Sequence, residues 1–287
     1  MTQRNKLNNF EPVQVLADDL ILVDWGPMTM TVSVWENGET RPVMAVQAAW
    51  SALMSLQALA QFQGFLNLKT EGLPTGRPLP KVVDRAYQAA RSVSGKLTPL
   101  AAVAGAAADE VADTATELGA DRVIVNNGGD IALRLSGKTM ADVGIQCNNE
   151  KRLLGCLKVT ADLGIGGVAT SGWQGRSNSP GVADIVTVWA ESASLADAAA
   201  TLIAAHTAIS GSEIKQVEAD RLDHASDLGK SLVTCHVGKL SDRQRCQALD
   251  RGRETAEILY HQGLIRGCFI YIQGNSLLMD PGHIAHI

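Results

Sequence analysis

A chain of 287 residues, 46% of them hydrophobic and 19% charged, can bury a substantial core, as one large domain or as two packed lobes. Its net charge of −5, without a basic run or a basic stripe interleaved with aromatics, gives nucleic-acid binding little electrostatic support. No uninterrupted apolar stretch approaches the roughly 18 residues of a membrane span, the N-terminus lacks the apolar core of a leader, and five scattered cysteines form no CxxC pair. Membrane insertion, a zinc knuckle and a disulfide framework are therefore not indicated, and a reducing cytoplasm is the expected home.

In chain order, residues 20–35 alternate apolar and small positions around Gly26-Pro27, which predicts two strands of an antiparallel hairpin. Residues 45–63 are apolar at helical spacing and predict the first long helix. A Gly/Pro-rich connector at 71–80 precedes a second helix with Pro80 at its start. A third helix is punctuated by Thr98 as N-cap, Pro99 at the first helical position and Gly119 just past its end. Strands are expected at 122–125, 131–135, 139–147, 153–160 and 185–190, an Ala-rich helix at 194–210, and then a strand at 231–237, a helix at 241–262 and a final strand at 267–273. Helices alternate with hairpins rather than with single parallel strands, so the fold class is α+β, with sheets covered by helices.

Four motifs carry chemistry. Asn126-Asn127-Gly128-Gly129-Asp130 joins two apolar strands; its glycines allow positive φ and close approach of N–H groups to an anion, and the same residues also suit a plain β-turn. Gly164-Ile165-Gly166-Gly167-Val168-Ala169 matches G-x-G-x-x-A, yet the helix breakers at 171–181 exclude a Rossmann loop. The following Thr170-Ser171-Gly172 could cradle a phosphate or carbonyl with its hydroxyls and amides. Asp197 and Thr201 lie one helical turn apart and offer hard oxygens for magnesium, although Ser194 and Asp197 equally fit an S-x-x-D capping box. Gly105, inside a helix of small residues that runs to Asp109, is unfavourable there by roughly 1 kcal/mol relative to Ala, which close packing or a ligand would offset. No HExxH and no nucleophile elbow occurs, and His283-x-x-His286 is a tail accident, so hydrolase triads and zinc chemistry are poorly supported.

Taken in order, an Ala-helix ending in Asp109, then N-x-G-G-D-I, A-T-S-G and A-D-x-x-x-T resemble the ApbE superfamily of FAD:protein FMN transferases over residues 97–205. A weaker similarity lies at Gly26-Pro27-Met28-Thr29. The resemblance implies one ApbE-like, T-fold-related domain over 1–287, with FAD or a related flavin nucleotide held by Asn126, Asn127, Gly128, Gly129, Asp130, Ala169, Thr170, Ser171 and Gly172. It further implies Mg2+ on the backbone carbonyl of Ala107 and on Asp197 and Thr201. The family's K-G-Y-A lysine is Ala104 here, and the H-x-x-D-P segment after A-T-S-G is absent, with 177–188 reading SNSPGVADIVTV. These departures, with D-L-G-K-S-L-V-T and V-G-x-L near the C-terminus, look like the uncharacterised ApbE-like branch. Three readings follow: a magnesium-dependent enzyme acting on a flavin nucleotide without protein FMN transfer, a non-catalytic flavin accessory of an iron–sulfur or flavin reductase (a redox protein partner, by association), or the scaffold re-used for another small molecule.

Overall fold

Apolar side chains on alternate residues between Val13 and Glu36 give three consecutive antiparallel strands, β1 (Val13–Ala17), β2 (Leu20–Trp25) and β3 (Met28–Glu36), with the tiny β4 (Glu39–Thr40) folded back on β3. The computed structural model describes residues 11–73, 76, 78–147, 152–175, 177–222 and 226–287. Helix α1 (Pro42–Gln61) starts on a proline, and a short α2 (Gln63–Leu66) follows. Then come α3 (Lys81–Val93), a 3₁₀ turn at Pro99–Ala102, and α4 (Val103–Glu117). Two hairpins follow, β5 (Arg122–Asn127) with β6 (Asp130–Leu135), and β7 (Met140–Cys147) with β8 (Arg152–Thr160). Strands β9 (Gly167–Ser171) and β10 (Ile185–Ala190) lead into α5 (Ala193–His206). The ribbon β11 (Ile214–Glu218) and β12 (Leu232–Val237) brackets a one-turn α6 (Ala219–Leu222). Helix α7 (Asp242–His261), β13 (Gly267–Ile272), β14 (Asn275–Met279) and β15 (Ala285–His286) close the chain.

One antiparallel sheet runs in the order β1-β2-β3-β5-β6-β9-β10-β13-β14. Four helices lie along one of its faces: α1 over β1–β3, α4 over β5 and β6, α5 over β9 and β10, and α7 over β13 and β14. Small residues make that layer thin; Ala106, Ala108 and Ala112 of α4 and Ala196, Ala199 and Ala200 of α5 are fully buried. On the opposite face the β15-β8-β7 sheet packs Val143, Ile145 and Leu157 against Trp189 and Phe269. Strands β10 and β13 are thereby covered on both sides, and every one of their residues is buried, whereas β3 alternates buried and more open positions. Doubly covered strands become continuous apolar runs, and singly covered ones alternate.

Two expectations change. Thr98 does not cap its helix through its side chain: the hydroxyl donates to Asp227 instead, and a 3₁₀ turn intervenes before α4. Residues 164–172 are not only a glycine-rich loop, because 167–171 form β9 between β6 and β10; β1, β4, β11, β14 and β15 are likewise strands that local patterning did not reveal. Among the described residues, α1 is long and apolar enough by length and composition to pass as a membrane span, although Gln47, Ser51, Ser55 and Gln57 interrupt its apolar run. Here its Ala45, Ala48, Ala49 and Ala52 face is buried in the core, leaving Val43, Trp50 and Met54 exposed. The expected connector at 71–80 and the breaker-rich stretch at 171–181 lie partly outside the described residues.

Candidate functional site

The Asn-Asn-Gly-Gly-Asp motif is a tight hairpin. Gly128 and Gly129 take φ of 69° and 112°, which only glycine adopts easily, so the chain reverses in two residues. Asn126 and Asn127 belong to β5, and their side chains are engaged in structure. Asn126 Oδ1 accepts from the Gly129 amide at 2.9 Å, and Asn127 Nδ2 donates to the Ala104 carbonyl at 3.1 Å. Asn126 thus braces the turn and Asn127 ties β5 to α4, while Gly128, Gly129 and Asp130 form a rim.

That rim belongs to a cavity of ≈ 660 Å³, a volume suited to a ligand of cofactor size. Of the twelve residues singled out, Asn126, Asn127, Gly128, Gly129, Asp130, Thr170, Ser171, Gly172, Ala107, Asp197 and Thr201 all line it. Ala169 does not: it is fully buried in β9, paired with Val188. The period-two geometry of a strand turns Ala169 into the core and leaves Thr170 to face the cavity. Pro27 and Met28 of the β2–β3 turn, with Leu56 and Leu59 of α1 and Val103, supply an apolar lining. The Thr170 hydroxyl lies 2.9 Å from that of Thr187, a cavity residue on β10. Gly172 also has a steric reason, because a Cβ there would sit 2.3 Å from the Asp184 carbonyl oxygen.

Asp197 sits at the junction of α4 and α5. The capping-box reading of Ser194 and Asp197 is corrected: α5 begins at Ala193, and its N-cap is Ser192, in extended conformation, whose hydroxyl accepts from the Leu195 amide at 3.2 Å. Asp197 instead accepts from α4, with Oδ2 3.0 Å from the Gly105 amide. Burial pushes its carboxyl well above the usual carboxylate range, and the neighbouring charge of Asp130 pushes the same way. The N–H groups of Gly105 and Ala104 pull it back. No Lys or Arg among the described residues forms an ion pair with Asp197.

The reverse exchange occurs a few ångströms away. Asp109 of α4, completely buried, accepts from the first amides of α5, Ala193 N at 3.2 Å and Ser194 N at 2.9 Å. Each helix is thus capped by an aspartate of the other. Helix N-termini carry partial positive charge and unpaired amides, so both carboxylates are well placed. The approach is close enough to require glycine: a Cβ on Gly105 would lie 2.3 Å from the Ala193 carbonyl oxygen, and one on Gly167 would lie 2.1 Å from Ala193 N. Gly105 is therefore a packing glycine at the edge of the cavity. Asp109 is further compensated by Arg134 at 3.0 Å and Arg85 at 3.7 Å.

Whether these groups suit a divalent cation can be judged from the donors. Among the described residues no three His, Cys, Asp or Glu side chains gather into a metal site. What converges is Asp197 with Asp130 nearby, the Thr201 hydroxyl one turn along α5, and Ala107 on the facing turn of α4. A few hard oxygens leaving room for ligand phosphates suit magnesium, and a partly buried carboxylate beside another carboxylate favours a cation. Local patterning did not single out Thr187, Gln146, Cys147 or Asp184 as site residues, though all four line the cavity. Gln146 and Cys147 lie on β7, which the three-stranded sheet brings to the cavity wall, and no local signal marks them.

Comparison with known proteins agrees with this architecture. The chain is similar to the UPF0280 protein of Methanopyrus kandleri, 38% identical over 139 residues, covering 48% of this chain and 54% of that protein. It is also similar to the UPF0280 protein of Methanocaldococcus jannaschii, 36% identical over 143 residues, covering 46% of this chain and 53% of that one. The matched region is thus about half the length of these relatives. Among solved structures it resembles Pseudomonas stutzeri flavinyl transferase ApbE in its apo form, with a TM-score of 0.50 at 15% identity, covering 93% of this chain and 95% of that one. At that identity the likeness is one of fold. The family model described as AbpE bacteria matches residues 13–278, nearly the whole chain, and the protein is a member of that ApbE-like family.

Proposed function

We propose that the cavity binds a flavin nucleotide together with a magnesium ion, and that the protein acts on that nucleotide without transferring FMN to a protein. The observation that carries this reading is the convergence of Asp197, Asp130 and Thr201 with the Gly128-Gly129 and Thr170–Gly172 rims around one ligand-sized space. Asp197, Thr201 and the Ala107 carbonyl would hold the ion, whose charge would offset that of the nucleotide's diphosphate. The Gly128-Gly129 turn and the Thr170–Gly172 segment would meet the polar parts of the ligand, and Met28, Leu56 and Leu59 would receive an apolar ring. No histidine, the side chain most often used as a general base, lines the cavity among the described residues.

Equilibrium binding of FAD to the purified protein, with magnesium and with chelator, tests the reading. Magnesium should tighten binding, and Asp197→Ala and Thr201→Val should each remove that gain; Asp197→Ala, which also strips the Gly105 amide of its acceptor, should lower melting modestly, whereas Thr201→Val should leave it nearly unchanged. FAD affinity that is absent, or indifferent to magnesium in all three proteins, would refute it. With a flavodoxin-type acceptor peptide no covalent flavin should appear; a fluorescent acceptor band at ordinary enzyme ratios would overturn the non-transferase half.

A further inference from the structure

We infer that Asp109, which lies outside the cavity lining, is a positioning residue for the cation-binding half of the cavity. Helices α4 and α5 exchange carboxylate caps reciprocally. Asp197 can accept from the Gly105 amide at 3.0 Å only if the first turn of α5 lies against that of α4. Sterics allow this approach through Gly105 and Gly167, which leave no room for a Cβ beside Ala193. Sterics only permit contact; they do not hold it. Asp109 holds it, with both carboxylate oxygens on the Ala193 and Ser194 amides at 3.2 and 2.9 Å. Four residues separate Gly105 from Asp109, and four separate Ala193 from Asp197, so the two caps stand one turn apart on each helix.

The orientation of Asp109 is itself fixed from behind. Arg134 donates to Asp109 at 3.0 Å and to Asp113 at 2.7 Å, and it also reaches the Gly166 carbonyl at 3.2 Å, directly before β9. Arg85 of α3 approaches Asp109 at 3.7 Å and donates to Asp113 at 2.6 Å. One buried carboxylate thereby ties α3, α4, β6, β9 and the start of α5 to a common position. Asp197 and Thr201 ride on the next two turns of α5, so their placement over the cavity follows from that tie. For its consequence in ligand binding this inference rests on the nucleotide–cation reading above; its structural half does not.

The experiment uses the full chain and Asp109→Asn, which keeps the volume but can supply only one acceptor oxygen and no charge. Asp109→Glu, which keeps the charge and displaces the carboxylate by one methylene, is the second variant. Amide hydrogen exchange is read by NMR without ligand, and FAD affinity is measured with magnesium and with chelator. Exchange in β13 should quicken only as far as the fall in global stability accounts for, while the Gly105, Ala193 and Ser194 amides exchange roughly tenfold faster or more beyond that. The magnesium-dependent gain in FAD affinity should fall by about 10-fold, with the magnesium-free affinity unchanged. Unaltered protection of Gly105 in Asp109→Asn overturns the inference. So does a uniform acceleration that includes β13, or failure of both variants to fold, because Asp109 would then be a general stability element. If wild-type protein shows no magnesium-dependent gain, the nucleotide–cation reading fails, and exchange at Gly105 still decides the clamp.

Discussion

Asp109 and Asp197 occupy equivalent places in the α4–α5 junction, Asp109 fully buried and Asp197 partly open, each accepting from the first amides of the other helix. Their electrostatic company is opposite. Asp109 and its neighbour Asp113 face two arginines, with Arg134 within 3.0 Å of both and Arg85 within 3.7 Å. Asp197 faces Asp130 and the cavity. A buried carboxylate with paired cations is complete and serves structure; one held only by amides beside a second carboxylate lacks such compensation, which the proposed magnesium ion would supply. The same residue type in the same local role thus separates into scaffold and site through what lies behind it.

The largest effect should come from removing the scaffold's compensation. Arg134→Met leaves Asp109 and Asp113 with Arg85 alone in a low-dielectric setting, and loss of one partner from a buried charge network typically costs about 3–5 kcal/mol. Urea denaturation should show a clear fall in midpoint; a midpoint within error of wild type would place the network on the dispensable surface. Next in size is Gly105→Ala. Its methyl would press on the backbone of Ala193, which cannot swing aside as a side chain would, so about 1–3 kcal/mol of stability should be lost, with nucleotide binding weakened as α5 is pushed back. An unchanged melting curve together with unchanged binding would show that the two helices separate freely.

Acid titration gives the smallest and most selective contrast. Burial pushes Asp113 up, but the charges and hydrogen bonds of Arg134 and Arg85 outweigh it and hold the carboxyl below its ordinary value. The stability it contributes is therefore present above the unfolded carboxylate pKa of about 4 and is lost as pH falls through the lower folded value. Asp197 has the opposite sign: raised by burial and Asp130, its contribution is full below the unfolded value and is lost as pH rises through the folded one. In metal-free protein, Asp113→Asn should flatten the acid side of the stability profile, and Asp197→Asn should flatten the decline on the other side. Parallel profiles for the two variants would erase the distinction drawn between the aspartates.

Much of this was legible before any coordinates. Proline and glycine punctuation placed α3 and the end of α4 within a residue or two, and the Asn-Asn-Gly-Gly-Asp turn announced its own geometry. Short edge strands such as β1, β14 and β15 escaped because their pairing, rather than their composition, makes them strands. The glycine-rich run hid β9 for a related reason: Gly166 and Gly167 are there to admit residues 191–193, which are remote in sequence. The Ser194–Asp197 pair illustrates a competition between two local rules. Ser192 took the cap because its extended backbone lets its hydroxyl reach Leu195, freeing Asp197 to bond across to α4.

By itself the sequence determined which residue types were available at which spacing: turn glycines, a carboxylate and a hydroxyl one helical turn apart, an alanine-rich pair of helices, and no histidine in residues 177–188. Those properties are local, set by backbone sterics and by the 3.6-residue period. Only the tertiary structure decided which aspartate meets arginine and which meets Asp130, that Ala169 turns inward while Thr170 turns to the cavity, and that β7 joins the cavity wall. Charge compensation and burial depend on groups separated by tens of residues along the chain, and no local pattern encodes them.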